Sequence, residues 1–221
     1  MADDDLAARL AALDSCAVSD ACDALGLAPA VTGLRPLSVA RRIAGRAVTV
    51  TLGAAKPAGA PLRHLCTAAV EAARPGDVLV IEQRTGIDAA GWGGVLSHAA
   101  QAKGLAGVVV DGPARDVDEA AALGFPVYAR SATARTARGR IFEQGFNEPV
   151  RLGETTVSPG DYVVADASGV AVLPAARAAE IVAAAGRIAG KERLMTEAVR
   201  AGAPAGTVMG ADYERMLEKK G

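Results

Sequence analysis

Residues 106–110 read Ala-Gly-Val-Val-Val, an unbroken apolar run with no position left for a solvent face. A strand of that kind must be covered on both sides, as parallel sheets in α/β proteins are and one-sided antiparallel sheets are not. The flanks agree. Upstream, Val95, Leu96, Ala99, Ala100 and Ala102 recur at roughly helical spacing, and Gly104 stands where a glycine ends a helix. Before that helix, Gly91-Trp92-Gly93-Gly94 is a glycine turn whose bare amides can approach a ligand. Downstream, Asp111-Gly112-Pro113-Ala114-Arg115-Asp116 is a turn loaded with charge. Helix, buried strand and charged turn are how an α/β protein places a site at a strand's carboxyl end.

The rest of the chain reads as short elements in alternation. A helix is expected over 3–13 with Leu6, Leu10 and Leu13 on one face, then a second, capped by Ser19 or Asp20 and stopped at Gly26. Alternation marks a strand at 47–52, followed by a loop over 53–61 in which Lys56 either meets an anionic substrate or is simply solvated. A helix over 61–73 carries His64, and Pro75-Gly76-Asp77 turns it into a strand at 78–81. Further strands are expected at 126–129, 150–157, 162–165 and 170–173, with a Ser/Thr/Arg-rich loop over 131–140 and a tight turn at Asp166. Pro174 opens a helical tail with Ala178, Ile181, Val182 and Ala185 as its apolar stripe, and a further helical piece is expected over 211–217.

Composition narrows the functional classes. The chain has 221 residues, 51% of them hydrophobic but only 3% aromatic, so its core is built from Ala, Val and Leu. The net charge of −1 shows no nucleic-acid footprint, and five arginines between 130 and 151 lack the interleaved aromatics that RNA binding favours. Cys16, Cys22 and Cys66 are an odd set without metal-ligand spacing, as expected of reduced thiols in the cytoplasm. Residues 1–5 are acidic where a secretory leader would be basic, and no apolar run approaches a membrane span.

Arg115-Asp116 is the sharpest chemistry. An arginine offers a planar fork of donors to a carboxylate, and an aspartate can hold a hard divalent cation, so together they could grip an α-keto acid from two sides. The alternative is a surface ion pair or a helix N-cap, since Asp116 precedes a helical segment over 117–123. His64 and His98 each have a structural reading that is as economical as a catalytic one, and neither is assigned to chemistry.

The run WGG, a helix, then GLAGVVVDGPARD resembles the signature of the RraA-like family, named for the regulator of ribonuclease E activity A. That family also holds class II pyruvate aldolases acting on 4-hydroxy-4-methyl-2-oxoglutarate and 4-carboxy-4-hydroxy-2-oxoadipate. The segments 18–26, 43–50, 74–80, 123–130 and 159–166 resemble the family in the same order, so the likeness covers nearly the whole chain. It implies an α/β fold of the swivelling β/β/α kind, a single RraA-like domain over 1–174 and a C-terminal helical arm over 175–221 packing on a neighbouring subunit. It also implies trimers or pairs of trimers, with no membrane or nucleic-acid partner.

For function, the resemblance implies a lyase that acts on α-keto acids through a pyruvate enolate, as an aldolase or an oxaloacetate decarboxylase. Asp116 would hold Mg²⁺ or Mn²⁺, Arg115 would bond the keto-acid oxygens, and the amides of Gly93, Gly94, Val95 and Leu96 would cradle the carboxylate. Glu192, on the arm, matches a glutamate that the aldolases supply from an adjacent protomer. One departure stands out. The aldolases resemble D/E-x20-R-D, and counting back from Arg115 puts Gly94 where the acid should be. Retro-aldol cleavage needs a base for the substrate hydroxyl and decarboxylation does not, so the loss favours decarboxylation or a different base. The competing class is a non-catalytic regulator that binds a ribonuclease or another protein.

Overall fold

The computed structural model describes residues 2–28, 30–59, 63–210 and 213. Its centre is a run of four parallel strands, β3 (Ile43–Gly53), β4 (Val78–Glu82), β5 (Gly107–Ala114) and β6 (Val127–Ala132), adjacent in that order. The intervening helices α3 (Thr67–Ala72), α4 (Gly94–Ala102) and α5 (Val117–Leu123) are the crossovers that parallel pairing requires. Short β1 (Ala30–Val31) and β2 (Arg35–Pro36) precede them and lie at the two ends of the sheet. On the far side of β3 the sheet continues antiparallel through β10 (Tyr162–Asp166) and β11 (Gly169–Leu173).

Two-residue periodicity sorts side chains between faces. In β4, Leu79 and Ile81 join a core with Leu96, Ala100 and Ala120 of the crossover helices, while Val78 and Val80 face an inner core with Val163, Val170 and Val172. Tyr162, Val164, Ala171 and Leu173 alternate outward to a third core, against α1 (Ala2–Ala11), α2 (Ser15–Ala24) and α6 (Ala178–Arg200). The inner core is closed by a hairpin of β8 (Val150–Leu152) and β9 (Thr155–Val157). The result is a mixed α/β layering with a C-terminal helix, as expected.

Several boundaries differ from the sequence reading. Asp14, not Ser19 or Asp20, caps α2: its backbone is extended and its carboxylate accepts from Ala17 N at 2.8 Å. The helix expected from 61 begins at Thr67, because Cys66 takes a left-handed φ of 64° and gives its amide to the Glu143 carboxylate. Residues 150–157 turn at Gly153 into a hairpin instead of running as one strand. An unexpected strand, β7 (Phe142–Phe146), pairs with the end of β3. The piece expected over 211–217 lies outside the described residues apart from Tyr213.

The helical tail is only partly an arm. Ala178, Ile181, Val182, Ala184, Ala185 and Ile188 bury against α1 and α2 of the same chain, so α6 belongs to the domain as far as Ile188. Beyond it Leu194 and Val199 are exposed, and α7 (Ala205–Val208) follows. Among the described residues no helix is long and apolar enough to cross a membrane.

Candidate active site

The charged turn expected at 111–116 is strand as far as Ala114. Ala114 lies between Ala132 of β6 and Trp92, which forms an isolated parallel bridge to it. Gly91 N donates to Pro113 O at 2.9 Å and Arg115 N to Trp92 O at 3.0 Å, so the glycine loop runs as a partial extra strand beside the end of β5. Trp92 is buried, stacks on Phe125 at 6.3 Å and donates Nε1–H to Ser97 Oγ at 2.9 Å. This anchoring carries Gly93 and Gly94 to Arg115 and Asp116.

Asp116 is not the helix cap that one reading offered, while the Arg115–Asp116 ion pair of that reading is present at 3.1 Å. Asp116 occupies the position before α5, but its carboxylate makes no capping bond there, and its φ of 55° is left-handed. Instead Oδ2 accepts from Gly94 N at 2.9 Å and Oδ1 from Arg115 Nε at 3.1 Å. Burial raises the Asp116 pKa, but the Gly94 amide and the Arg115 guanidinium outweigh it and hold the carboxyl below its usual 3.8. A non-glycine residue in this conformation with its side chain turned from its own helix is the local strain that sites tend to hold.

The glycines let the neighbouring side chains come close to the backbone. A Cβ on Gly93 would lie 2.9 Å from Asp116 Oδ2 and 3.2 Å from Arg115 Cγ. One on Gly94 would overlap the Glu119 carboxylate, which reaches back from α5. Glu119 Oε1 lies 3.1 Å from His98 Nε2, one turn into α4. Arg115, Asp116, Val117, Asp118 and residues 132–134 line an open cavity of about 350 Å³.

The expected site residues therefore come together only in part. Arg115, Asp116, Gly93 and Gly94 converge. The Gly94 amide, expected to cradle substrate, is bonded to Asp116 and so falls out of the cradle. The amides of Val95 and Leu96 are first-turn donors of α4 with no intrahelical acceptor. The Val95 side chain is exposed and that of Leu96 is buried. Glu192 sits elsewhere in the chain: burial raises its pKa, as do the negative charges of Asp20 in α2 and of Asp14, which caps that helix. The reason is that α6 packs on the β10–β11 side, away from the carboxyl end of β5.

Among the described residues no three His, Cys, Asp or Glu side chains gather as a metal cage. What Asp116 offers is a single hard carboxylate with lone pairs beyond those used by Gly94 and Arg115. That suits an ion which keeps most of its water, such as Mg²⁺, and not a protein-enclosed transition metal. The two buried thiols are poor nucleophiles: burial pushes Cys22 up to about 11 and Cys66 well above its usual value.

Sequence reasoning missed two features here. Glu119 and His98 meet through a contact spanning α4 and α5 that no local pattern encodes. Asp111, only 6% exposed, is structural: it accepts from Arg130 Nε at 2.6 Å and from Gly153 N at 2.7 Å, tying β5, β6 and the hairpin together. A larger cavity of about 620 Å³ lies apart from Asp116, lined by Lys56, Arg63, His64, Arg138, Glu143 and Phe146 among others.

A family model described as RraA-like, Aldolase/RraA, matches residues 15–172. A protein of Halalkalibacterium halodurans named "Putative 4-hydroxy-4-methyl-2-oxoglutarate aldolase" is 35% identical over 161 residues, covering 71% of this chain and 70% of that protein. DlpA of Legionella pneumophila is 30% identical over 169 residues, covering 76% of this chain but only 27% of its own length. Among solved structures, an uncharacterized protein from Pseudomonas syringae superposes with a TM-score of 0.83 at 28% identity, covering 94% of this chain and 98% of that one. Streptomyces coelicolor RraAS2, described as an unusual member of the RNase ES inhibitor RraA family, superposes with a TM-score of 0.74 at 30% identity, covering 86% and 94%.

Proposed function

This chain belongs to the RraA-like, Aldolase/RraA, family, and within it we propose a C–C lyase that releases pyruvate from an α-keto acid, with oxaloacetate and 4-hydroxy-2-oxo acids as substrates. The observation that carries the reading is Asp116, which leaves its helix uncapped to lie between the Gly94 amide and Arg115.

A Mg²⁺ or Mn²⁺ ion held by Asp116 would act as a Lewis acid on the keto oxygen. Arg115 keeps Nε on Asp116 and presents its terminal N–H groups to the substrate carboxylate and keto oxygens. The first-turn amides of Val95 and Leu96, at the positive end of α4, complete the anion cradle. As the C–C bond breaks, its electron pair moves onto the keto oxygen to form pyruvate enolate, and the positive charge of Arg115 favours that product over the ground state.

Assembly as trimers or pairs of trimers would allow Glu192 of a neighbouring protomer to reach this site, using the distal half of α6 that its own chain leaves uncovered. A cytoplasmic setting agrees with three free cysteines. The second reading, a non-catalytic regulator of a ribonuclease or other protein, is favoured by the likeness to RraAS2 and by the missing acid at Gly94.

The deciding experiment measures pyruvate released from oxaloacetate and from 4-hydroxy-4-methyl-2-oxoglutarate, with Mg²⁺ and with EDTA. Chelator-sensitive pyruvate from either supports the lyase. No pyruvate from either favours the regulator.

A further inference from the structure

We propose that Glu119 is the proton acceptor when a 4-hydroxy-2-oxo acid is cleaved at this site; the inference rests on the lyase reading. Its basis is the bare backbone at Gly94. Two carboxylates converge there: Asp116 accepts the Gly94 amide at 2.9 Å, and Glu119 fills the volume that any Cβ on Gly94 would enter. A helix turn separates them along α5, yet both side chains reach back across the start of α4. Glu119 Oε1 is held by His98 at 3.1 Å, and Oε2 is the atom lying closest over Gly94. Half its side chain is open to solvent, so a proton it accepts can leave.

Asp116 cannot serve in this role as well, because both its oxygens are engaged with donors that stabilise the charged form. Among the described residues of this chain, Glu119 is the other carboxylate against Gly94. In the step, the substrate's C4 hydroxyl gives its proton to Glu119, the C4–O bond becomes a carbonyl, and the C3–C4 bond breaks. Its electron pair forms pyruvate enolate, and one proton, returned from Glu119 or taken from water, converts C3 to the methyl group of pyruvate. Decarboxylation of oxaloacetate has no hydroxyl proton to remove and does not use this residue as a base.

The test compares the whole protein with Glu119→Gln, Glu119→Ala and the double variant Gly94→Asp/Glu119→Ala. Retro-aldol cleavage of 4-hydroxy-4-methyl-2-oxoglutarate and decarboxylation of oxaloacetate are followed on the same samples, with oxalate binding measured by calorimetry in the presence of Mn²⁺. Glu119→Gln should lower the ratio of cleavage to decarboxylation by about a hundredfold or more, with oxalate affinity kept within about threefold. Gly94→Asp in the Glu119→Ala background, where the trimmed side chain leaves room for it, should raise cleavage by about tenfold over Glu119→Ala. A ratio unchanged in Glu119→Gln overturns the proposal, as does a loss of oxalate affinity that accounts for the lost cleavage. A native protein that releases pyruvate from neither substrate overturns the lyase reading and this inference with it.

Discussion

The carboxylate of Asp116 is bonded at 2.9 Å to the amide of Gly94, twenty-two positions earlier, rather than to the helix it precedes. That single contact joins the start of α4 to the start of α5. It also puts the two charged residues at the end of β5 against the bare backbone of Gly93 and Gly94.

Asp116→Asn should remove pyruvate release by about a hundredfold or more while leaving a folded protein. Asparagine tolerates the left-handed conformation and keeps an oxygen for the Gly94 amide, so the charge and the bond accepted from Arg115 Nε are lost while the backbone contact stays. Circular dichroism and a melting curve check the fold, and a coupled pyruvate assay checks the activity.

Gly93→Ala should disable the site through space alone. Its Cβ would press on Asp116 Oδ2 at 2.9 Å and Arg115 Cγ at 3.2 Å, and the cost to stability should stay near 1–3 kcal/mol. Activity should fall far more than the melting temperature, which separates this outcome from general unfolding.

Trp92→Ala should cost about 3–5 kcal/mol, because the side chain is almost fully buried and its loss leaves a cavity against Phe125. Trp92→Phe keeps most of that volume but orphans Ser97 Oγ of its indole donor, and should cost markedly less. Urea titration of the three proteins orders them.

Ser15→Ala should destabilise the protein by about 1–3 kcal/mol at neutral pH. Burial raises the Asp166 pKa, but the Ser15 hydroxyl and amide, the Ser168 amide and Arg42 outweigh it and lower it below 3.8. A depressed folded pKa gives stability that is present above the unfolded value and lost as pH falls through the folded one. The difference between native protein and Asp166→Asn should therefore be largest near pH 7 and shrink below about pH 4. Unfolding at pH 7 and pH 3 measures it, and a constant difference would contradict the assignment.

Much of the architecture was legible because it depends on local chain properties. An apolar run at 106–110 is what a strand covered on both faces needs, and once 78–81 and 162–165 are extended, their successive side chains go to opposite layers whatever those layers prove to be. The Arg115-Asp116 pair was visible for the same reason, since its chemistry belongs to the residue types. Helix starts were less legible: Asp14, Ser19 and Asp20 are all competent caps, and only Asp14 has the extended backbone that lets it act.

The amino-acid sequence by itself determined the α/β class, the doubly covered strand at 106–110 with a helix before it, and the charged pair that follows that strand; the parallel order of the strands came from the tertiary structure. Only the tertiary structure decided that Asp116 turns from its helix to Gly94, that Glu119 fills the space above that glycine, and that Glu192 lies on the other side of its own chain. Periodicity is a property of neighbours along the chain. The meeting of residues 94, 98, 116 and 119 depends on Trp92 docking beside Ala114 and on two helices packing in one order, which no local pattern records.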